Sequence, residues 1–512
     1  MTEKEKYSIL IVVLWYLYYL YIQGDNILDN NKRGSWASNF GFIMSAVGSA
    51  VGLGNIWAFP FKMGKSGGFS FLIIYILISA TVGITMMVSE LAIGRKTGKN
   101  PIGAYRTLSK KSSFLGWMAV IAPFLILSFY TVLGAYCVEY MVINLSNIIT
   151  SSSALSGADT FGAMLTNPIA SLFFSLVFVF VCYIINRGGV SGGIEKFNKI
   201  GMPTLFVMLV IIVIRSITLP NAVEGLKYMF VPGYAVDGGF IKEAPSFVTV
   251  LATAGGQVFF SLSLAMGIMI TYGSYLNKNE SLVKNSVIIS VCDTIVALLA
   301  GLAVLPAAIA TGISNGVPVS EIQLGGPKLL FITLQDVFNS MGTIGPIFGA
   351  IFYLLVVIAA ITSTISLFEV VSSYLIDRNI ERGREPNRNK VILWVCIAVA
   401  VEAAIVAIDG LGSNGIWVPF NNVFQQATFN ESWLDFIDMI AEGFLMPLGA
   451  LIMSIFVAWI LKPKTILEEV NGNKKGFFGT FFSVCIRFVV PVVMFLVFLG
   501  QVDAFFGLGI FH

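Results

Sequence analysis

Eleven stretches of mostly apolar residues run along this chain, each long enough to form a helix across a lipid bilayer. Such a helix needs about 20 mostly apolar residues, and backbone that is open to lipid cannot exist at membrane depth. We therefore predict an all-α membrane protein with 11 transmembrane helices. The spans are expected at residues 38–63, 69–93, 114–145, 168–186, 198–219, 246–275, 285–312, 343–376, 391–408, 436–461 and 477–501.

The composition supports this class and argues against an enzyme. Charged residues make up only 12% of the chain, whereas soluble proteins have about 25%. The single histidine is His512, and the five cysteines lie in apolar runs without close spacing. A His-based catalytic triad, a His-ligated metal and a disulfide framework are therefore not expected.

Positive charges are distributed unevenly between the loops and predict the orientation. Twenty Lys and Arg residues lie in one set of alternate loops and four in the other, and the richer set marks the cytoplasmic side. The richer loops are 94–113, 187–199, 276–284, 377–390 and 462–476. We expect a cytoplasmic N-terminus and an outside C-terminus. The long outer loops 313–341 and 409–434 are expected to pack over the bundle as lids.

We predict three segments: an N-terminal extension at 1–27, a core of ten helices at 28–461, and a cytoplasmic loop with helix 11 at 462–512. The apolar run at 9–22 is too short for an ordinary span. One interpretation is an interfacial helix. We favour another, that the natural protein begins at Leu28, because the codons for residues 23–25 can contain a bacterial ribosome-binding sequence and Leu28 can be read from an alternative start codon.

Two of the spans carry internal glycine-rich breaks. Residues 48–55 read GSAVGLGN, and residues 255–267 read GGQVFFSLSLAMG. Breaks at matching positions of two halves indicate a transporter site, and these two lie five spans apart. We therefore predict a repeat of five helices, 1–5 and 6–10, with span 11 added. The alternative is that the glycines only allow close helix packing.

Few polar residues lie inside the spans. Asp293 is in the middle of an apolar run, and an intramembrane carboxylate is a functional candidate by default. Thr362, Ser363 and Thr364 are consecutive; their hydroxyls can ligate a hard cation or only bond their own helix. Glu90 is expected to bond the loosened backbone of span 6.

Three segments closely resemble one family, the neurotransmitter:sodium symporters. Residues 32–61 read KRGSWASNFGFIMSAVGSAVGLGNIWAFPF and are similar to the family's first helix. Residues 256–275, GQVFFSLSLAMGIMITYGSY, resemble its sixth helix, and residues 359–366, AAITSTIS, its eighth. The resemblance implies a LeuT-type 5+5 inverted repeat with broken helices 1 and 6. It also implies sodium-coupled symport of an amino acid or amine by alternating access, in a bacterial inner (plasma) membrane.

The resemblance further implies two Na⁺ sites built from oxygen ligands. Sodium 1 would be held by Ala50, Asn55, Ser261 and Asp293, with the substrate carboxylate. Sodium 2 would be held by Gly48, Val51, Ala359, Thr362 and Ser363.

Chloride binding is not expected in this chain. Animal members of the family bind chloride beside sodium 1, and the matching positions here are Tyr75, Gln257, Ser261, Asp293 and Ala297. Asp293 stands where Asn is usual, and Ala297 replaces a hydroxyl. Because one anion near the cation suffices, we predict chloride-independent transport.

The resemblance also implies a substrate pocket. Its lining would be Ser49, Ala50, Leu53, Gly54, Ile126, Tyr130, Phe260, Ser261, Ser263, Met266, Thr364 and Leu367. Gly52 stands where amine transporters place an Asp, which favours an amino acid. The apolar subsite favours a neutral hydrophobic substrate, and flexible Met266 leaves room for an aromatic ring; leucine-like substrates stay open.

Four residues are expected to act as gates. Arg33 and Asp377 match the family's cytoplasmic ion pair, and Tyr130 and Phe260 would close the outer side. The family's outer arginine is replaced by Ala58. Lys62 could supply the cation instead, with Asp435 or Asp438 as the expected partner.

The leading hypothesis is a sodium-coupled importer of a neutral amino acid. The alternatives are a proton-coupled carrier of the same fold and, more remotely, an intramembrane enzyme or a receptor. The expected partners are the amino acid substrate and the lipid bilayer; nucleic acid is not expected, and the oligomeric state stays open.

Overall fold

The computed structural model describes residues 34–150, 156–322, 324, 329–419, 432–470 and 476–511. Within these residues the regular structure is entirely helical, which confirms the predicted class. Nine helices of the described part are long and apolar enough to cross a membrane: Phe69–Thr97, Lys110–Ile149, Pro168–Arg187, Val190–Ile217, Leu282–Ser314, Gly342–Glu381, Arg388–Asp409, Trp433–Leu461 and Phe477–Asp503. The N-terminal extension at 1–27 and Arg33 lie outside the described residues.

Two further predicted spans are each made of two helices. The first is the pair Asn39–Ala50 and Gly54–Lys65, and the sixth is the pair Phe247–Ser261 and Ile268–Gly273. Counting by length and composition gives nine spans in the described ranges, or ten with the first pair. The count of eleven therefore stays a prediction. Below, the spans are numbered 1–11 in chain order, with the two pairs as spans 1 and 6.

The break in span 1 lies at residues 51–53. Ser38 caps the start of the span by accepting a hydrogen bond from the amide of Gly41. Val51 then leaves the helical conformation, with φ −81° and ψ 98°, and the two halves of the span meet at 46°. Glycines surround the break because they stabilise helix least and allow close contact.

The break in span 6 lies at residues 262–267. Ser263, Ala265 and Gly267 have positive φ values of 54°, 62° and 70°. For Ser and Ala this conformation costs free energy and is typically found where function requires it. Glu90 of span 2 stabilises the opened backbone, since its Oε1 accepts a hydrogen bond from the Ala265 amide at 2.7 Å, as expected.

Spans 3 and 8 pack along each other and both reach the break in span 1. The Leu53 amide donates to the Tyr130 hydroxyl of span 3 at 2.8 Å. The Ser363 hydroxyl of span 8 donates to the Ser49 carbonyl at 3.1 Å. The broken segments are therefore held inside the bundle, where open backbone is tolerated.

The outer surface of the bundle is apolar. Phe180, Trp394 and Phe488 are 52%, 67% and 63% exposed. Large apolar side chains on several spans share this exposure, as expected of a surface that faces lipid.

The loop between spans 7 and 8 folds back onto the bundle in its described part. It contains the helices Leu329–Thr333 and Leu334–Ser340. Phe331 is buried and stacks on Phe161 with ring centroids 5.5 Å apart. This agrees with the lid expected at 313–341. Of the second expected lid, at 409–434, residues 420–431 are outside the described ranges.

Candidate functional site

The breaks of spans 1 and 6 lie against each other and enclose a small cavity. The Ser263 hydroxyl lies 2.9 Å from the Ser49 carbonyl, to which it donates, and 3.2 Å from the Ser49 hydroxyl. The two strongest sequence signals, separated by about two hundred residues, thus meet at one place.

Most of the predicted pocket residues line this cavity. Its lining consists of Ser49, Ala50, Gly52, Gly54, Ile126, Tyr130, Phe260, Ser263, Met266, Ile268, Ser363 and Leu367. Gly52, Ile268 and Ser363 were not among the predicted pocket residues. Leu53, Ser261 and Thr364 were predicted but are not in this lining. The Thr364 hydroxyl donates to the Ala360 carbonyl of its own helix at 2.7 Å. Bonding to its own helix was the alternative to a role in the site.

The cavity is narrow in this conformation. Its volume is about 20 Å³, whereas a single water needs at least about 10–15 Å³. Seating an amino acid therefore requires the walls to move. Met266 can adapt because its side chain is unbranched and flexible, and Phe260 is only partly buried.

Gly52 is the tightest point of the wall. A Cβ atom at this position would lie 2.3 Å from the Ser363 Oγ and 2.4 Å from the Tyr130 hydroxyl oxygen. Both distances are shorter than any real contact of a Cβ atom. A side chain at Gly52, including the Asp of amine transporters, does not fit without displacing both hydroxyls.

Asp293 lies at the centre of the predicted sodium 1 site. Its carboxylate accepts hydrogen bonds from Asn55 Nδ2 at 2.8 Å, from the Ser261 hydroxyl at 2.8 and 3.0 Å, and from the Tyr75 hydroxyl at 3.0 Å. Asp293 and Asn55 are 0% exposed. Three of the four predicted ligand residues are thus brought into direct contact.

All of these donors are neutral. No ion pair of the described residues involves Asp293. A buried carboxylate without a countercharge is costly. A cation coordinated by this oxygen-rich cluster would supply that charge, so the residues present fit a sodium ion.

Of the predicted sodium 2 residues, Gly48 and Ser363 meet across spans 1 and 8. Ser363 Oγ lies 3.4 Å from the Gly48 carbonyl oxygen, whereas the Thr362 hydroxyl donates to the Ala359 carbonyl of its own helix at 2.9 Å. Gly48, Val51, Ala359, Thr362 and Ser363 are all buried. Hydroxyl and carbonyl oxygens are the ligands that hard cations prefer.

The end of the bundle near Trp36 is closed by aromatic residues. Trp36 is 5% exposed and donates from Nε1 to the Tyr272 carbonyl at 3.1 Å. Asp377 accepts from both the amide and the side chain of Asn100, at 2.9 and 2.7 Å. The predicted pair of Asp377 with Arg33 falls partly outside the described residues and stays a prediction.

The opposite end of the cavity, near Lys62, carries an ion pair. Lys62 Nζ lies 3.2 Å from Glu442 Oε1 and 5.9 Å from the centre of the Phe260 ring. The ion-pair partner of Lys62 is thus Glu442, one turn beyond Asp438, and Asp438 lies close enough to interact electrostatically with both. The sequence suggested no role for Glu442, because the two residues lie 380 positions apart and no local pattern links them.

Glu369 also proves to be paired, although the sequence suggested no role for it. It is 0% exposed and accepts from Arg388 Nη2 at 2.5 Å and from the Tyr275 hydroxyl at 2.8 Å. Tyr275 contacts Trp36, so this pair supports the closure near Trp36. The available signal was a carboxylate within an apolar span with an arginine 19 positions later.

The comparisons with known proteins agree with this geometry. The chain matches the model of the Sodium:neurotransmitter symporter family over residues 33–156 and 152–509. The chain belongs to this family. As a member, it is a sodium-dependent, multi-pass membrane transporter and not an enzyme.

Members of the family from distant organisms resemble this chain over nearly its whole length. The uncharacterized sodium-dependent transporter YhdH of Bacillus subtilis (strain 168) is 33% identical over 480 residues, covering 93% of this chain and 99% of that protein. The crystal structure of MhsT in complex with L-phenylalanine matches with a TM-score of 0.77 and 33% identity, covering 92% of this chain and 100% of that one. The sodium- and chloride-dependent GABA transporter 2 of Rattus norvegicus is 24% identical over 512 residues, covering 91% of this chain and 80% of that protein.

Proposed function

We propose that this protein imports a neutral, hydrophobic and preferably aromatic amino acid, driven by the sodium gradient and without chloride. The observation that carries the proposal is the buried Asp293 carboxylate, surrounded by neutral donors at the break of spans 1 and 6. A sodium ion there neutralises the carboxylate, and the substrate carboxylate then completes the ion's oxygen shell.

Two sodium ions are proposed. The second lies between the Gly48 and Val51 carbonyls of span 1 and the Ala359, Thr362 and Ser363 oxygens of span 8. This ion joins two spans on either side of the cavity, so its arrival and departure would change how they pack. That is the coupling that alternating access requires.

The cavity supports the choice of substrate. Its side-chain end is formed by apolar Ile126, Met266, Ile268 and Leu367, and described charged residues are absent from its lining. At the other end, the Tyr130 hydroxyl accepts from the Leu53 amide and keeps its own proton to donate to an α-carboxylate. The similar transporter MhsT was crystallised with L-phenylalanine, which favours an aromatic side chain.

The outer end of this pathway is assigned to the side of Lys62 and the inner end to that of Trp36. This follows the Lys and Arg bias of the loops and places the C-terminus outside, in a bacterial inner membrane.

Purified protein can test the proposal directly. Thermal unfolding is measured with each amino acid, in sodium and in potassium at equal ionic strength. We expect aromatic amino acids to raise the unfolding midpoint in sodium and not in potassium, because ligands stabilise the state they bind. Stabilisation that is equal in both salts, with uptake driven by a pH gradient alone, would instead favour the proton-coupled carrier.

Replacing chloride by gluconate should leave uptake unchanged when sodium is held fixed. The hydroxyls of Tyr75 and Ser261 already donate to the Asp293 carboxylate. The last position of the matching chloride site, where animal members carry a hydroxyl, is the buried methyl group of Ala297. A chloride ion would have to share these donors with a carboxylate. Loss of uptake in gluconate contradicts chloride independence.

Lys62→Ala should lower apparent substrate affinity by about two- to fivefold, as expected for a partly exposed ion pair worth roughly 0.5–1 kcal/mol. The pair joins spans 1 and 10 above Phe260, so its loss favours the open outer gate. Concentration-dependent uptake measures the effect. Lys227→Ala, which removes a comparable pair with Glu224 outside the spans, is the matched control. Uptake by Lys62→Ala equal to that of the control removes Lys62 from the gate.

A further inference from the structure

Asn198 of span 5 has a buried side-chain oxygen with no partner. The residue is 0% exposed, and its Nδ2 donates to the Ile194 carbonyl of its own helix at 2.8 Å. Its Oδ1 has no hydrogen-bond donor among the described residues. Because the Ile194 carbonyl can only accept, the amide nitrogen of Asn198 must face it. The side-chain oxygen is therefore the end that points away from the helix of span 5.

The free oxygen points at Gly48, in the last turn of the first helix of span 1. A Cβ atom built on Gly48 would lie 2.2 Å from Asn198 Oδ1, so this oxygen rests against the main chain of Gly48. Gly48 also contributes the carbonyl that faces Ser363 in the proposed sodium 2 site. The glycine is what allows an amide oxygen from span 5 to come this close.

An acceptor buried without a donor destabilises a protein, and a bound water or ion is one way in which native structures satisfy it. A neutral amide oxygen is a good ligand for a hard cation. The other oxygens of the sodium 2 site come from spans 1 and 8, which leaves the span 5 side without a ligand in the expected set.

We propose that Asn198 Oδ1 is an additional ligand of the second sodium ion, on the side of span 5. The inference rests on the proposed sodium 2 site and deepens it. Bound sodium then draws three spans together, and release of the ion frees span 5 as well as spans 1 and 8.

The test compares Asn198→Ala with a matched control, Asn186→Ala. Asn186 of span 4 is also 0% exposed, its Nδ2 donates to the Cys182 carbonyl at 3.1 Å, and its Oδ1 also has no partner in the described part of the chain. The readout is the thermal unfolding midpoint of the full chain against sodium concentration, without substrate and with potassium holding ionic strength constant.

We expect the sodium concentration for half-maximal stabilisation to rise about tenfold in Asn198→Ala, the loss typical of removing one group around a metal. Asn186→Ala should match the wild type. Equal sodium curves for the two variants overturn the proposal. Should Asn198→Ala fail to fold, Asn198→Asp must bind sodium more tightly than the wild type; unchanged or weaker binding overturns the proposal equally.

Two further outcomes separate the sites and the hypotheses. The shift must persist in a Ser261→Ala background, which removes a sodium 1 ligand; its disappearance there overturns the assignment to the second site. Wild-type protein stabilised equally by sodium and potassium overturns the proposed function and this inference together. If the wild type responds to sodium and Asn198→Ala responds equally, Asn198 is not a sodium ligand, and the proposed function is unaffected.

Discussion

Asp293→Asn is expected to lower sodium-driven uptake by about 100-fold or more in chloride-free buffer, since uncoupling a buried charge from its partner costs roughly 3–5 kcal/mol. The substitution keeps the size of the side chain but removes the charge that the sodium ion neutralises. It also turns an oxygen that accepts from Tyr75 or Ser261 into an NH₂ group. Uptake of labelled amino acid into proteoliposomes at a fixed sodium gradient measures the effect.

Chloride should restore part of this uptake, because an anion held near Tyr75 and Ser261 would replace the missing charge. Glu402→Gln is the matched control. This substitution neutralises a different carboxylate, which lies on span 9 and outside the cavity lining. The variant should transport like the wild type. Undiminished uptake by Asp293→Asn without chloride would show that the carboxylate does not serve the ion.

Gly52→Ala is expected to weaken substrate binding by about 10- to 100-fold, corresponding to an overpacking cost of roughly 1–3 kcal/mol. The new methyl group would lie 2.3 and 2.4 Å from the Ser363 and Tyr130 hydroxyl oxygens. Both must move, which breaks the bond between Tyr130 and the Leu53 amide and displaces a proposed sodium 2 ligand. Equilibrium binding of labelled amino acid in saturating sodium measures the change.

Gly162→Ala provides the control for this substitution. Gly162 lies in the helix Gly157–Leu165, and a Cβ atom there would meet nothing within 4 Å. Its affinity should equal that of the wild type. Wild-type affinity in Gly52→Ala would mean that the wall of the cavity yields easily and that this glycine does not shape the site.

The helices were largely predictable because lipid imposes a simple rule on sequence. Each stretch expected to cross the membrane became a helix or a broken pair of helices. Most boundaries differ by a few residues, and the largest difference is in span 5, which was expected from residue 198 and begins at Val190. Span 6 shows the limit of the rule, since apolar length at 246–275 predicts one span whereas its two helices are each too short to cross alone.

The site was predictable where it lies on a break and less so where it depends on contact between distant spans. Glycines and serines in spans 1 and 6 indicated the cavity, and Asp293 indicated the ion. Thr364 shows the ambiguity of a hydroxyl in a helix, because bonding to its own helix and lining a pocket look alike in sequence. The Lys62–Glu442 pair joins positions 380 apart in the chain, a contact that no local pattern encodes.

The sequence by itself determined the class of protein, the positions of the apolar spans and the two places where the helix must open, because apolar length and glycine content act locally. Only the tertiary structure decided which distant groups meet. It placed Glu442 beside Lys62, Arg388 beside Glu369 and the free oxygen of Asn198 against Gly48. Such pairings depend on how the spans pack and on how each buried polar atom is satisfied, which is a property of the whole bundle.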